Sequence, residues 1–121
     1  MRTLFTILLS AFVCATSFAQ IPNSGFETWD STAGYKVPVG CESLNATTAS
    51  SSVYTCEYGI PGYSGGYYLN LMSKTIPGMG NQRGLAVAGK LAPGTQFPSP
   101  GFAFTQRPQV LAGYWQYMAM S

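Results

Sequence analysis

Residues 21–29 read Ile-Pro-Asn-Ser-Gly-Phe-Glu-Thr-Trp, and this stretch predicts that the folded part of the chain opens as β structure. Pro22 lacks an N–H, so it suits a position just before a strand or at a sheet edge. The Asn-Ser-Gly that follows is turn chemistry. Phe26 and Trp29 then point to opposite faces of the expected strand. Either both rings cover core, or one packs inward and the other faces a groove, a loop or water.

The segment before this stretch has the composition of a secretory leader. Arg2 gives a positive start, residues 4–15 are mostly apolar, and small Ser17 and Ala19 occupy the positions that a signal peptidase reads. We predict a signal peptide over residues 1–19, the N-terminal part of a β-sandwich domain over residues 20–121, and a secreted, extracellular or cell-surface protein. The apolar run is too short for a transmembrane helix, so no membrane-spanning segment is expected after the leader is removed.

Charged residues are sparse in the predicted mature chain. Loss of Arg2 leaves five basic residues against four acidic ones, with no run of either sign. Nucleic-acid binding relies on clustered Lys and Arg that displace counterions, so no nucleic-acid partner is expected. A surface of Ser, Thr, Asn, Gln, Gly and Tyr suits uncharged polar ligands, and it equally suits an exported β domain that has no ligand.

Short stretches with a β pattern alternate with Gly- and Pro-rich turns. We predict about six strands, at residues 26–30, 35–37, 53–57, 67–74, 85–91 and 109–120. Residues 43–52 are predicted as a surface loop with one helical turn at most, in which only Leu44 can anchor a core. Asn45-Ala46-Thr47 in this loop matches the acceptor pattern for N-glycosylation. The pattern of the whole chain is typical of an all-β sandwich or barrel.

The clearest predicted strand, residues 67–74, has two distinct faces. The inward face carries Tyr67, Leu69, Leu71 and Ser73, and the other, half-exposed face carries Tyr68, Asn70, Met72 and Lys74. The last predicted strand continues its alternation to Ser121 without a turn or a polar tail. We therefore expect a chain truncated at its C-terminus, whose unpaired strand edges promote aggregation.

Two cysteines, Cys41 and Cys56, follow the predicted leader. In an oxidising compartment they can form a disulfide, which would stabilise the fold by roughly 3 kcal/mol in the chain-entropy model. The alternative is two unpaired thiols that pack as small apolar groups. The sequence leaves both open, because a disulfide requires close approach of the two Cα atoms.

The order of six pieces of sequence resembles a group of secreted Bacteroidota proteins. The pieces are residues 21–29, Tyr-Lys-Val-Pro-Val-Gly at 35–40, Tyr-Thr-Cys-Glu-Tyr-Gly at 54–59, Tyr-Tyr-Leu-Asn-Leu-Met-Ser-Lys at 67–74, Ala-Val-Ala-Gly-Lys-Leu at 86–91 and Phe-Thr-Gln-Arg-Pro at 104–108. These proteins are similar to a carbohydrate-metabolism domain and to galactose-binding-like jelly rolls. The resemblance implies a jelly-roll-like β-sandwich in a longer parent protein, which often carries a C-terminal sorting domain for type IX secretion.

The resemblance also bears on single residues. Related proteins usually have an aromatic residue where this chain has Cys41, so pairing of Cys41 with Cys56 is not a device of that group. Carbohydrate-binding jelly rolls that open with a similar Gly-Phe-Glu often use the glutamate and nearby carbonyls to bind calcium, which implies a Ca²⁺ site at Glu27. The alternatives are an ion pair of Glu27 with Arg83 or Arg107, or a hydrated carboxylate. No other cofactor is expected.

The acidic residues do not form an evident catalytic pair. Glycoside hydrolysis normally uses two carboxylates that flank the bond, and Glu42 and Glu57 are the two that lie near predicted loops. The sequence contains no histidine, which excludes Ser-His-Asp, Cys-His and histidine-metal sites within it. No catalytic residue is therefore assigned.

Aromatic residues on loops and strand faces are the candidate ligand site. Sugar-binding sandwiches stack aromatic rings on the apolar side of a sugar, while amides and charged groups bind its hydroxyls. The predicted contacts are Tyr63, Tyr58, Arg107, Tyr68 and Asn70. Tyr63 comes first, because a bulky ring in a Gly-rich loop has little packing role. For each aromatic, packing in the core or on a strand face is the alternative.

Three functions remain open at this point. The leading hypothesis is a non-catalytic glycan-binding domain, whose partner is a glycan or cell-surface polysaccharide. The structural alternative is a spacer or adhesive module without a specific ligand. The enzymatic alternative is part of a glycoside-processing enzyme whose second carboxylate lies beyond Ser121.

Overall fold

The computed structural model describes residues 21–99 and 101–119. Regular structure in these ranges is mostly β, with one short helix, so the all-β fold class is confirmed in this coarse form. The predicted signal peptide, residues 1–19, lies outside the described residues. Within the described ranges, no helix has the length and apolar character needed to cross a membrane.

Eight short strands and one helix follow each other in the described part of the chain. They are β1 Trp29–Asp30, β2 Val37–Pro38, β3 Cys41–Ser43, α1 Asn45–Thr48, β4 Cys56–Gly59, β5 Tyr68–Leu71, β6 Lys74–Ile76, β7 Gly80–Gln82 and β8 Ala86–Ala88. A 3₁₀ turn over Ala49–Ser51 extends α1.

The strands pair into four two-stranded antiparallel sheets. β1 pairs with β2, β3 with β8, β4 with β5, and β6 with β7. The β3–β8 sheet sets Cys41 opposite Ala88 and so joins distant parts of the sequence. The β4–β5 sheet is the longest, with Cys56 opposite Leu71 and Gly59 opposite Tyr68. Since two-stranded sheets leave many backbone groups without a strand partner, other groups must satisfy them.

The opening stretch is a turn, and the strand predicted from Phe26 is wrong in its first half. Phe26 has φ of 56° and its N–H donates to the carbonyl of Asn23 at 2.9 Å. The Asn23 side chain supports the turn, since Oδ1 accepts from the Thr28 N–H at 3.1 Å and Nδ2 donates to the carbonyls of Thr28 and Val39 at 2.8 and 3.2 Å. Strand β1 therefore begins only at Trp29. Phe26 and Trp29 are both half-buried.

The other predicted strands are shorter than expected, and some are shifted. The stretch predicted as one strand over residues 67–74 divides into β5 and the start of β6, and β4 begins at Cys56 and ends at Gly59. The predicted inward face is wrong at Tyr67, Leu71 and Ser73, which are exposed. A sheet of two strands has no continuous inner layer to cover all three residues. Strand β7 lies where a turn was predicted, because Gly80-Asn-Gln shows no apolar alternation.

The final strand predicted over residues 109–120 does not form in its described part. Residues 109–119 contain no strand and are exposed throughout, with Leu111 84% and Trp115 86% exposed. Alternation of apolar residues gives a segment the capacity to pair, but a strand needs a neighbouring edge. No described strand pairs with this segment.

Residues 43–52, predicted as a surface loop, contribute much of the core. Leu44 is buried as expected, but Ser43, Asn45 and Thr48 are buried with it. The prediction failed because these side chains are polar, and polar residues are usually exposed. The other buried side chains in the described residues are Pro38, Thr55, Cys56 and Ile76. The core is therefore small and contains many polar groups.

Asn45 is fully buried and uses its whole side-chain amide. Oδ1 accepts from the N–H groups of Thr55 and Cys56 at 2.9 and 3.1 Å. Nδ2 donates to the carbonyls of Lys36 and Cys56 at 2.9 and 2.6 Å. The edge of β4 that faces away from β5 is thus paired with a side chain instead of a strand. Full burial also keeps this amide from N-glycosylation in the folded protein.

Replacing Asn45 with alanine should lower the free energy of unfolding by roughly 3–5 kcal/mol, because it leaves three buried backbone groups and the part-buried Lys36 carbonyl without partners. Urea unfolding measures the change. Asn81→Ala is the matched control, since Asn81 is exposed on β7. A loss for Asn45→Ala that is no larger than the loss for Asn81→Ala would show that β4 does not depend on this amide.

Candidate functional site

Loop 60–67, which joins β4 to β5, is anchored by the carboxylate of Glu27. The carboxylate accepts from the N–H groups of Gly66 and Tyr67 at 3.0 and 3.3 Å. Gly65 has φ of 117°, and a Cβ at this position would overlap the Glu27 carboxylate. The close approach therefore requires glycine. Glu27 fixes a loop that begins far from it in the sequence.

Tyr63 lies within this loop and is 77% exposed. The N–H of Gly62 donates to the carbonyl of Gly66 at 3.2 Å and closes the loop around it. The Tyr63 ring stacks on the Tyr114 ring, with centroids 3.9 Å apart and planes at 28°. Tyr114 is exposed to a similar degree, so the ring pair still presents aromatic surface to water.

Tyr68 and Asn70 share one face of the β4–β5 sheet with Glu57, as the alternation of residues 67–74 predicted for the first two. Glu57 stands opposite Asn70, and Gly59 stands opposite Tyr68. Because residues opposite each other in a sheet project to the same side, these four residues share one face. The Tyr68 ring lies across Gly59, where a Cβ would overlap it, and is 44% exposed. This face offers an aromatic ring beside an amide and a carboxylate.

Tyr58 projects to the opposite face and belongs to a packed aromatic cluster. Its ring meets those of Trp29 and Tyr67 edge-on, at centroid distances of 5.5 and 4.9 Å. The ammonium of Lys36 donates to the Tyr58 hydroxyl at 2.7 Å and lies 4.0 Å from the ring centroid. These contacts give Tyr58 a packing role, and the structure does not bring it to the same face as Tyr68.

Arg107 is exposed within residues 101–119. In the same segment, the Tyr114 ring contacts loop 60–67 by stacking on the Tyr63 ring. The sequence did not single out Tyr114 as a site residue, because only the fold brings it beside Tyr63. No local pattern could have identified the pair.

Glu42 and Glu57, the carboxylates weighed for catalysis, line different clefts. Glu42 lines a cleft of about 470 Å³. Glu57 lines a cleft of about 270 Å³ together with Lys36 and Tyr54. The two carboxylates therefore do not flank a common space, as a glycosidase pair would.

The Glu27 carboxylate binds backbone N–H groups in this structure. It pairs with Gly66 and Tyr67, not with Arg83 or Arg107. Within the described ranges, no three His, Cys, Asp or Glu side chains converge to hold a metal ion. A calcium ion at Glu27 would need most of its six to eight oxygens from carbonyls and water, and this site stays a prediction from the resemblance.

Cys41 and Cys56 are free thiols. Cys56 is fully buried, and burial raises the pKa of its thiol to about 11. Cys41 is half-buried, and burial raises its pKa as well. Both groups are therefore protonated at neutral pH, so neither is an activated nucleophile. Of the two states that the sequence allowed, the structure contains the unpaired one.

Comparison with protein-family models, curated proteins and solved structures finds no match to this chain. The resemblance to galactose-binding-like jelly rolls therefore stays a prediction from the sequence. The site itself combines exposed rings on an anchored loop with a mixed aromatic and polar sheet face.

Proposed function

We propose that this chain is a non-catalytic glycan-binding domain of a secreted protein. The proposed binding surface consists of Tyr63 and Tyr114 with the sheet face of Tyr68, Asn70 and Glu57. The observation that carries the proposal is the exposed Tyr63 ring on a loop whose backbone is fixed by Glu27.

An aromatic ring on a fixed loop suits stacking on a sugar. The ring of Tyr63 contributes flat apolar surface, which is what the C–H face of a pyranose meets in aromatic recognition. Because Glu27 already orders the loop, little conformational entropy is lost when a ligand binds. An exposed ring without a burial role is also the feature that distinguishes Tyr63 from Tyr58.

The polar groups near the loop complement this ring. Strand β5 begins directly after loop 60–67, and its Tyr68 adds a second half-exposed ring. Asn70 and Glu57, opposite each other on the same face, can bind hydroxyls as amide and carboxylate. A surface with one carboxylate and no cluster of basic residues suits a neutral glycan better than a highly anionic one.

The proposal includes the architecture and the location that the sequence suggests. We propose that the strands belong to a jelly-roll-like β-sandwich and that the chain is exported after removal of residues 1–19. The support for a sandwich is that all eight described strands pair in antiparallel fashion.

Replacing Tyr63 with alanine should weaken glycan binding about tenfold or more, because it removes a stacking surface without disturbing a buried contact. A glycan array identifies the ligand, and affinity electrophoresis with the retained polysaccharide measures the change. Phe97→Ala is the matched control, since Phe97 is similarly exposed on another loop.

Two results would contradict the proposal. If the wild-type chain retains no glycan, the spacer or adhesive role replaces it. If Tyr63→Ala and Phe97→Ala bind a retained glycan equally well, the binding surface lies elsewhere.

Export should produce a mature protein that begins at Gln20. The reason is that Ser17 and Ala19 place small residues where signal peptidase binds. Intact-mass measurement of the protein recovered from an exporting host checks this. Recovery of the chain with residues 1–19 still attached would contradict the predicted cleavage.

A further inference from the structure

The larger cleft shares no lining residue with the proposed glycan surface. Its apolar walls come from three parts of the chain, represented by Tyr35, Val37, Leu44, Leu91 and Pro93. Its volume of about 470 Å³ lies within the range of small-molecule sites, roughly 300–1,000 Å³. The cleft is therefore large enough for a ligand, and its lining combines this apolar surface with polar side chains.

The loop that forms one wall is held in place by its own hydrogen bonds. The Ala92 N–H donates to the carbonyl of Phe97 at 2.9 Å, and the Thr95 N–H donates to the carbonyl of Ala92 at 3.0 Å. The Ser99 N–H donates to the carbonyl of Lys90 at 2.8 Å. A wall fixed in this way exists before a ligand binds.

Glu42 is the one charged side chain among the described residues that line this cleft. Its carboxylate accepts from the Leu91 N–H at 2.7 Å and from Lys90 Nζ at 3.2 Å. The Leu91 N–H holds the pKa of the Glu42 carboxyl below its usual value, and Lys90 adds to the effect. A negative charge therefore stands at the wall of an otherwise uncharged cleft.

We propose that this cleft binds a small organic ammonium ion with an apolar body, with the Glu42 carboxylate as counter-ion. The apolar body packs against the walls, and the ammonium group donates to the oxygen lone pairs that Leu91 and Lys90 leave unused. The Tyr35 ring in the lining adds an aromatic surface that favours a cation.

Lys90 does not pre-empt the site. Its side chain is 80% exposed. An ion pair that is so open to water contributes little binding free energy. A ligand ammonium held against the apolar walls is less hydrated than Lys90, so its attraction to Glu42 is stronger. Lys90 can move into water when the ligand enters.

The test compares 2-phenylethylamine with 2-phenylethanol, which share an apolar body and differ in charge. Titrations followed by amide chemical shifts of the full chain should show the amine binding about tenfold or more tighter than the alcohol. Glu42→Gln should remove this difference, because it keeps an oxygen for the Leu91 N–H and removes the charge.

Two further variants separate the cleft from the general charge of the protein. Asp30→Asn is the matched control, since the Asp30 carboxylate also accepts a backbone N–H, from Thr32, but lies outside the cleft lining. It should leave amine binding unchanged. Ala46→Trp places a large side chain at the exposed rim and should abolish binding of both compounds.

The proposal is overturned by any of three results. The first is equal affinity of the wild-type chain for the amine and the alcohol, or no binding of either at millimolar concentration. The second is an equal loss of amine binding in Asp30→Asn and Glu42→Gln. The third is undiminished binding in Ala46→Trp. None of these readouts involves a glycan, so failure here is distinguishable from failure of the glycan-binding proposal.

Discussion

The hydrogen bonds of the Asn45 amide take the place of a missing neighbour strand at the edge of β4. A two-stranded sheet satisfies the backbone on one side of each strand and leaves the other side open. In water those groups would be solvated, but beside a small core they need protein partners. One fully buried amide binds both backbone groups of Cys56, the first residue of β4, and the N–H of Thr55 just before it. Its fourth hydrogen bond joins β4 to the carbonyl of Lys36.

The same device recurs at three other places where distant segments meet. Asn23 connects its own turn to Val39, Glu27 holds loop 60–67, and Glu42 holds the backbone at Leu91. In each case a polar side chain binds backbone groups directly. Hydrogen bonds of this kind fix chain segments relative to one another without a large apolar core. They explain how short strands and a polar interior coexist in this protein.

The two proposed sites both depend on these anchoring residues. Glu27 fixes the loop that presents Tyr63, so the order of the glycan surface derives from a carboxylate that does not itself need to touch the ligand. Glu42 has both functions in the other site, because it holds Leu91 and also presents its charge to the cleft. The hydrogen bonds that replace sheet pairing thus also shape the binding surfaces.

The sequence predicted the β class and the shared face of Tyr68 and Asn70, because these follow from local alternation of residue types. It misplaced Asn45, since a polar residue in a Ser- and Thr-rich stretch has the composition of a surface loop. It did not predict the partner of Tyr63 or of Glu27, because such contacts arise only when the chain folds. Over its described residues, 109–119, the expected final strand is absent for the related reason that alternation does not supply a neighbouring edge.

Hydrogen exchange at the Asn45 side chain shows whether its amide replaces a neighbour strand of β4. If its amide replaces a strand, the two Nδ2 protons and the N–H protons of Thr55 and Cys56 exchange slowly and together, at the rate of global unfolding. The exposed side-chain amide of Asn81 gives the rate expected without protection. Exchange of the Asn45 amide at the rate of Asn81, with Thr55 and Cys56 still protected, would show that other groups protect this edge of β4.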